Sequence, residues 1–216
     1  MKIVIDQGHG GSDPGAVGNG LTEAVLTGQL GLIVVEKLSG YNAEVILAPR
    51  GTLSERAAFA NSAGADLFVS IHVNAGGGTG YESHIHPGAS EKTLSIARSM
   101  HSILAVYYRE KGFADRGLKR SNFGVLRETR MPAVLLENLF IDSPVDAAFL
   151  RGGLPGIGNE IAWSIARAMG LDLSPQDLIK EEACGTGLTE ILCDLQKIEA
   201  DVSRLRRVIN ELLSKE

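Results

Sequence analysis

Short apolar runs alternate along this chain with stretches of 3.6-residue periodicity, and that alternation confines it to one fold class. Lys2–Asp6, Ala43–Leu47, Asp66–His72, Tyr81–Ile85, Phe123–Leu126 and Ala133–Glu137 read as strands. Between them, Thr22 to about Ser39, Thr52 to about Ser62 and Ser90 to about Arg109 read as helices, and two more follow near 144–150 and 154–169. Thr52 and Glu55 carry the spacing of a capping box, and Thr22 stands where an N-cap would. Strands followed by crossover helices predict an α/β domain with a mostly parallel twisted sheet, covered by helices on both faces. At 216 residues with 44% hydrophobic side chains, the chain can fill one such core and keep a small appendage.

Parallel strands bring their C-terminal ends to one sheet edge, where open α/β folds place their sites. His9 follows the first strand in IDQGHGG, His72 closes the third in FVSIHVNA, and Glu137 ends the last in AVLLENLF. Glu23 opens the first helix. Each has a plainer reading alone: a loop histidine, a satisfied core histidine, a first-turn carboxylate favoured by the helix dipole. Glu137 resists it best, because a charge at the end of a central strand needs a partner. Taken jointly, two imidazoles and a carboxylate form the donor set of a catalytic zinc, with a second carboxylate placed to act as general base. The glycines of the first loop are not a phosphate loop, for no Lys-Ser/Thr follows them.

The flanking motifs are more specific. IDQGHGGSDPGAVG, TEA, Arg56 with Ala60-Asn61, DLFVSIHVNA, Gly80-Tyr81-Glu82 and FGVLRETRMPAVLLE follow one another over residues 2–170. In that combination the chain resembles the zinc-dependent N-acetylmuramoyl-L-alanine amidases. The resemblance implies that His9, Glu23 and His72 hold one Zn2+ per chain and that Glu137 is the catalytic base. It implies peptidoglycan as substrate, cut at the amide between the lactyl group of muramic acid and L-alanine. One departure stands out: the family follows its catalytic glutamate with a glycine-phenylalanine pair and later an asparagine. Here the run is Glu137-Asn138-Leu139-Phe140-Ile141-Asp142, so the rim of the cleft is expected to differ. Some secreted relatives carry an inhibitory helix over the zinc. The segment from His84 to Asn122 leaves little space for one, so no built-in inhibition is expected. Another zinc amidohydrolase or carboxypeptidase on the same scaffold is the alternative enzyme, and a catalytically dead wall-binding protein the alternative class. The intact quartet argues against decay.

Secondary candidates are weaker. His84 and His86 straddle Ile85 and are expected as exposed polar positions, with a second metal pair as the alternative. His101 is expected on a helix surface. Glu82 is expected to be structural or to support the site, and Asn74 and Arg127 to contact glycan or stem peptide.

Net charge is −5, with no basic footprint for nucleic acid and no apolar run long enough to span a membrane. Ten of the 26 acidic but only six of the 21 basic residues fall in 171–216. Both cysteines, Cys184 and Cys193, lie there too and are expected as free thiols. This places a catalytic domain at 1–171, a linker at 172–187 and a helical segment at 188–215. Leu188, Leu195, Val202 and Ile209 alternate with Ile191, Ile198, Leu205 and Leu212 in a four-heptad coiled-coil pattern. A homo-oligomer or a helical partner is therefore expected; an amphipathic helix packed on its own domain is the alternative. The start Met1-Lys2, running straight into a strand, predicts no secretion signal. The expected setting is an enzyme made in the cytoplasm and released at the bacterial wall, as a phage or prophage endolysin, or a trimmed secreted autolysin.

Overall fold

The structure, a computed structural model, describes residues 1–172, which form one compact unit, Met1–Asp172. The tail on which the heptad, linker and cysteine expectations rest lies outside the described residues. Six strands make one sheet: β1 (Lys2–Gln7), β4 (Glu44–Leu47), β5 (Leu67–Asn74), β6 (Tyr81–Ile85), β7 (Asp115–Arg120) and β8 (Ala133–Phe140). The small hairpin of β2 (Val17–Gly18) and β3 (Leu21–Thr22) stands apart from it. Strand order is β4-β1-β5-β8-β6-β7. All pairs are parallel except β6 with β8, so the sheet is mixed rather than wholly parallel.

Helices α1 (Glu23–Leu38), α3 (Glu91–Glu110) and α5 (Pro144–Met169) cover one face, packed on Ile3, Ile5, Val69, Ile71, Val134 and Leu136. On the other face α2 (Leu53–Ala63) and the short α4 (Gly124–Glu128) enclose a smaller core of Val4, Phe68, Val125, Leu126 and Leu135. The two cores take alternate residues of each strand, as the period of two requires. The capping box of α2 is present, with the Thr52 hydroxyl accepting from Glu55 N–H. Thr22 precedes α1 at the N-cap position but its side chain makes no cap bond.

Two sequence expectations fail for identifiable reasons, and one strand was not foreseen. Phe123–Leu126 is not a strand, because Gly124–Glu128 forms α4 and buries Val125 and Leu126 against the smaller core. The helices expected at 144–150 and 154–169 are one helix, with Pro155 inside it. Proline removes one N–H and crowds the carbonyl four residues back, at Arg151. Glycines 152, 153 and 156 surround it, and burial of Leu150, Leu154, Ile157 and Ile161 outweighs the break. The third miss is β7, whose sequence DRGLKR has no apolar alternation. It is an edge strand, and charged edges are how sheets avoid further pairing.

Candidate metal centre and active site

Four side chains meet at the C-terminal edge of β1, β5 and β8. His9 follows β1, His72 lies on β5, and the β5–β8 register sets Glu137 directly beside His72. Glu23, the first residue of α1, is buried behind them. Its two carboxyl oxygens are divided between the imidazoles: Oε2 is 3.2 Å from His9 Nε2 and Oε1 is 2.9 Å from His72 Nδ1. Backbone N–H groups of Ala16 and Val73 donate to the same two oxygens, at 2.9 and 3.1 Å. One donor atom from each of His9, Glu23 and His72 lies within 4.8 Å of the others. Two imidazole nitrogens and one anionic oxygen, converging without a cysteine, fit a zinc site that keeps a position open.

The electrostatics agree with that fit. Burial alone would raise the Glu23 carboxyl, yet its hydrogen bonds to His72 and His9 hold it far below the ordinary carboxylate range. Its hydrogen bond to Glu23 lifts His9 to about 9 against the opposing effect of burial, and Asp13 adds to the rise.

Glu137 behaves oppositely. Burial pushes its carboxyl up to about 8, and the nearby negative charges of Glu23 and Glu82 add to the rise. Its Oε2 is buried with no hydrogen-bond partner. It lines a cleft of about 600 Å³ with His9, His72, Arg56, Leu53, Phe123, Val125 and Leu135, bounded by the His9 loop, the start of α2 and α4. Helix α3 packs on the opposite face of the sheet, away from this cleft.

Local backbone features build the edge. His9 sits at φ 63° and Leu139 at φ 71°, both in the left-handed region that side chains other than glycine rarely take. From His72 to Asn74 β5 advances two residues while β8 advances three, Glu137 to Phe140, so a bulge on β8 holds Asn138 and Leu139. Asn138 turns that bulge to use. Its amide donates to the His72 carbonyl at 3.0 Å, and Tyr108 O–H donates to its oxygen at 3.0 Å.

Two glycines of the first motif are fixed by crowding. A Cβ on Gly8 would press into the His72 ring, and one on Gly15 (φ 65°) would lie 2.7 Å from Glu23 Oε2. Gly8→Ala is expected to displace His72, costing about 1–3 kcal/mol of stability and lowering bound zinc. Thermal melts and metal analysis of the purified variant check both.

Beside Glu137, at the register position across β6, Glu82 forms a second charged cluster. Its carboxyl takes hydrogen bonds from Arg116 and Lys119 at 2.6 Å each and from Asn74 at 3.1 Å, with His84 Nε2 also at 3.1 Å. Burial would raise Glu82, but Lys119 and Arg116 hold it at about 2. Such a depressed carboxyl stabilises the fold above its unfolded pKa near 4.5 and loses that contribution as pH falls towards 2. Glu82→Gln is expected to lower stability by roughly 1–2 kcal/mol at pH 7. The gap to the parent should close between pH 4.5 and 2, read from paired thermal melts.

Not every expectation holds. His84 is buried, with Nδ1 2.8 Å from the Ser121 hydroxyl and its ring 5.0 Å from that of Phe123, so it is not an exposed polar position. His86 lies beyond the end of β6, and neither histidine belongs to the converging group of three candidate ligands found among the described residues. His101 is largely covered, bonded to Ser83 and Asp115 and stacked on Tyr81. Asn74 serves Glu82, and Arg127 lines a separate hollow with His86 and Arg130. The sequence reading missed the buried pair of Asp6 and Arg56, 2.5 Å apart beneath the cleft, and the bond from Asp13 Oδ2 to His9 Nδ1 at 2.8 Å. Both carboxylates stand within the quoted IDQGHGGSD motif, which was the available signal.

Known proteins agree with this geometry. The N-acetylmuramoyl-L-alanine amidase family profile matches residues 3–170. The sporulation-specific N-acetylmuramoyl-L-alanine amidase of Bacillus subtilis is 41% identical over 213 residues, covering 95% of this chain and 79% of that protein. The endolysin of Bacillus phage SPP1 is 40% identical over 69% of this chain and 59% of its own length. The crystal structure of an N-acetylmuramoyl-L-alanine amidase from Clostridium difficile 630 superposes with a TM-score of 0.70, at 30% identity over 78% of this chain and 94% of that one. With the motif residues gathered at one sheet edge and the match running through the whole described domain, the chain belongs to the N-acetylmuramoyl-L-alanine amidase family and is a peptidoglycan hydrolase.

Proposed function

We propose that His9, Glu23 and His72 hold a single zinc ion per chain and that Glu137 is the general base for cleavage of the muramoyl–L-alanine amide. The observation that carries this is the three-donor convergence within 4.8 Å, next to a carboxyl whose buried oxygen has no partner. When bound, zinc supplies Lewis acidity, lowering the pKa of a water to about 7 and polarising a carbonyl. Glu137 takes the proton from the attacking water and returns it to the nitrogen of the departing L-alanine. A carboxyl poised near neutrality suits that exchange, and a neighbouring cation favours its ionised form. The Arg56–Asp6 pair beneath the cleft and Asn138 behind His72 keep the edge in place. Digestion of purified peptidoglycan should release new L-alanine amino groups and no new reducing ends. Chelation should stop it and zinc restore it. New reducing ends, or digestion indifferent to chelator, would sink the assignment.

Residues 1–171 are the catalytic domain in this reading, 172–187 a linker and 188–215 a helical segment that assembles the enzyme or docks a helical partner. The heptad pattern supports it. Removing 175–216 should lower the sedimenting mass to that of a folded monomer; a monomeric full-length chain excludes the oligomer.

Action at the cell wall follows from the substrate, and two settings follow from the relatives. The phage endolysin supports release at host lysis. The sporulation-specific relative supports a host enzyme, and its match over 95% of this chain extends past the catalytic domain, which favours that setting. Accumulation of the protein in sporulating cells, against accumulation on prophage induction, decides between them.

A further inference from the structure

His9 is the least securely seated of the three donors. It stands in a loop rather than on a strand, at φ 63°, with a quarter of its side chain exposed. His72 is carried by β5 and Glu23 by α1. Something must fix which nitrogen of His9 faces Glu23, because neutral imidazole has two tautomers and only the unprotonated nitrogen can bind a cation.

The loop supplies that fixture. Gly10 and Asp13 form an isolated two-bond bridge, Gly10 N–H to the Asp13 carbonyl at 2.8 Å and Asp13 N–H to the Gly10 carbonyl at 3.2 Å. The bridge folds residues 9–13 back, so that the Asp13 carboxylate returns to the ring from which the loop began. Asp13 Oδ2 lies 2.8 Å from His9 Nδ1, while Oδ1 accepts from Gly15 N–H at 3.0 Å. Both oxygens are thus held, and the ring cannot turn without losing one bond or the other. With Nδ1 engaged by a carboxylate, Nε2 is left facing Glu23 at 3.2 Å.

We propose that Asp13 is a positioning residue for the metal centre: it accepts a hydrogen bond from His9 Nδ1–H, fixes the tautomer, and so presents Nε2 to the cation. A carboxylate behind a ligating histidine also raises its basicity, and loss of such a partner costs about 10–100-fold in metal affinity. The inference rests on the zinc reading above, and its test separates the two.

Zinc affinity of the full chain is measured by competition with a chromophoric chelator, for the parent, Asp13→Ala and Asp13→Asn. Asparagine keeps one neutral oxygen, which can hold the Gly15 bond and so the loop while an NH2 replaces the acceptor facing His9 Nδ1. Asp13→Ala is expected to bind zinc near the weak end of that 10–100-fold range and Asp13→Asn near the strong end. Nitrogen-15 spectra supply the readout that a merely loop-stabilising role would leave unchanged. In the zinc-loaded parent His9 should show a protonated Nδ1 hydrogen-bonded to carboxylate, a signal shifted in Asp13→Asn and lost in Asp13→Ala. Affinities within twofold of the parent in a folded Asp13→Asn, with the His9 signals unmoved, overturn the inference. A parent that takes up no zinc at all overturns the metal reading instead.

Discussion

Glu137→Gln is expected to cut turnover on muropeptides by about 10²–10⁴-fold while zinc content stays at the parent level. The asymmetry follows from position. Glu137 shares the sheet edge with His72 through the β5–β8 register but contributes no atom to the three-donor cluster. Its Oε2 has no hydrogen-bond partner, so glutamine of the same shape gives up no bond of that oxygen and creates no cavity. Burial together with the charges of Glu23 and Glu82 raises the acid's pKa, so a neutral amide also removes a repulsion. The raised carboxyl costs the parent stability progressively between its unfolded pKa near 4.5 and about 8, so the variant should match the parent near pH 4 and exceed it at pH 9. Peptidoglycan digestion, metal analysis and thermal melts on one preparation give all three quantities. Near-normal turnover in Glu137→Gln removes this residue from the chemistry, and zinc loss would make it a ligand.

How much of this was legible beforehand differs by residue. The strands that carry the site are buried on both faces and read as unbroken apolar runs, so β1, β5 and β8 stood out, and with them His9, His72 and Glu137. β7 and α4 could not be read the same way. One is a charged edge strand, and the other is a single helical turn whose two apolar residues match either period. Side-chain partners were less legible still. His84 looked like an exposed strand residue because its polarity was visible and its burial under Phe123 was not. The bulge at Asn138 and Leu139 appeared only as a break from the family's glycine-phenylalanine pair, since leucine gives no local sign of a left-handed backbone. Motif chemistry was written in the sequence; the bonds that hold each motif in place are tertiary.

Variants of the proposed ligands should separate from Glu137→Gln in every measurement. His72→Ala is expected to bring zinc content near zero and activity to the uncatalysed background. It should also destabilise the metal-free protein by roughly 1–3 kcal/mol, because a buried acceptor loses a hydrogen-bond partner. That last effect follows from Glu23, which is 4% exposed and leans on His72 through Oε1 at 2.9 Å. Val73 N–H still donates to the same oxygen at 3.1 Å, so the carboxylate keeps one bond there and the fold survives. Glu23→Gln makes the converse test. It keeps the shape but gives up one of the two backbone bonds, since its NH2 cannot accept from Ala16 or Val73 N–H, and it removes the anion that raises His9, so His9 should fall from about 9 towards its ordinary value. Zinc binding should weaken sharply in this variant even though a proton no longer competes for His9, since the lost anionic donor outweighs the released nitrogen. No other group of three candidate ligands converges among the described residues, so full zinc occupancy in either variant would overturn the assignment of these residues as ligands.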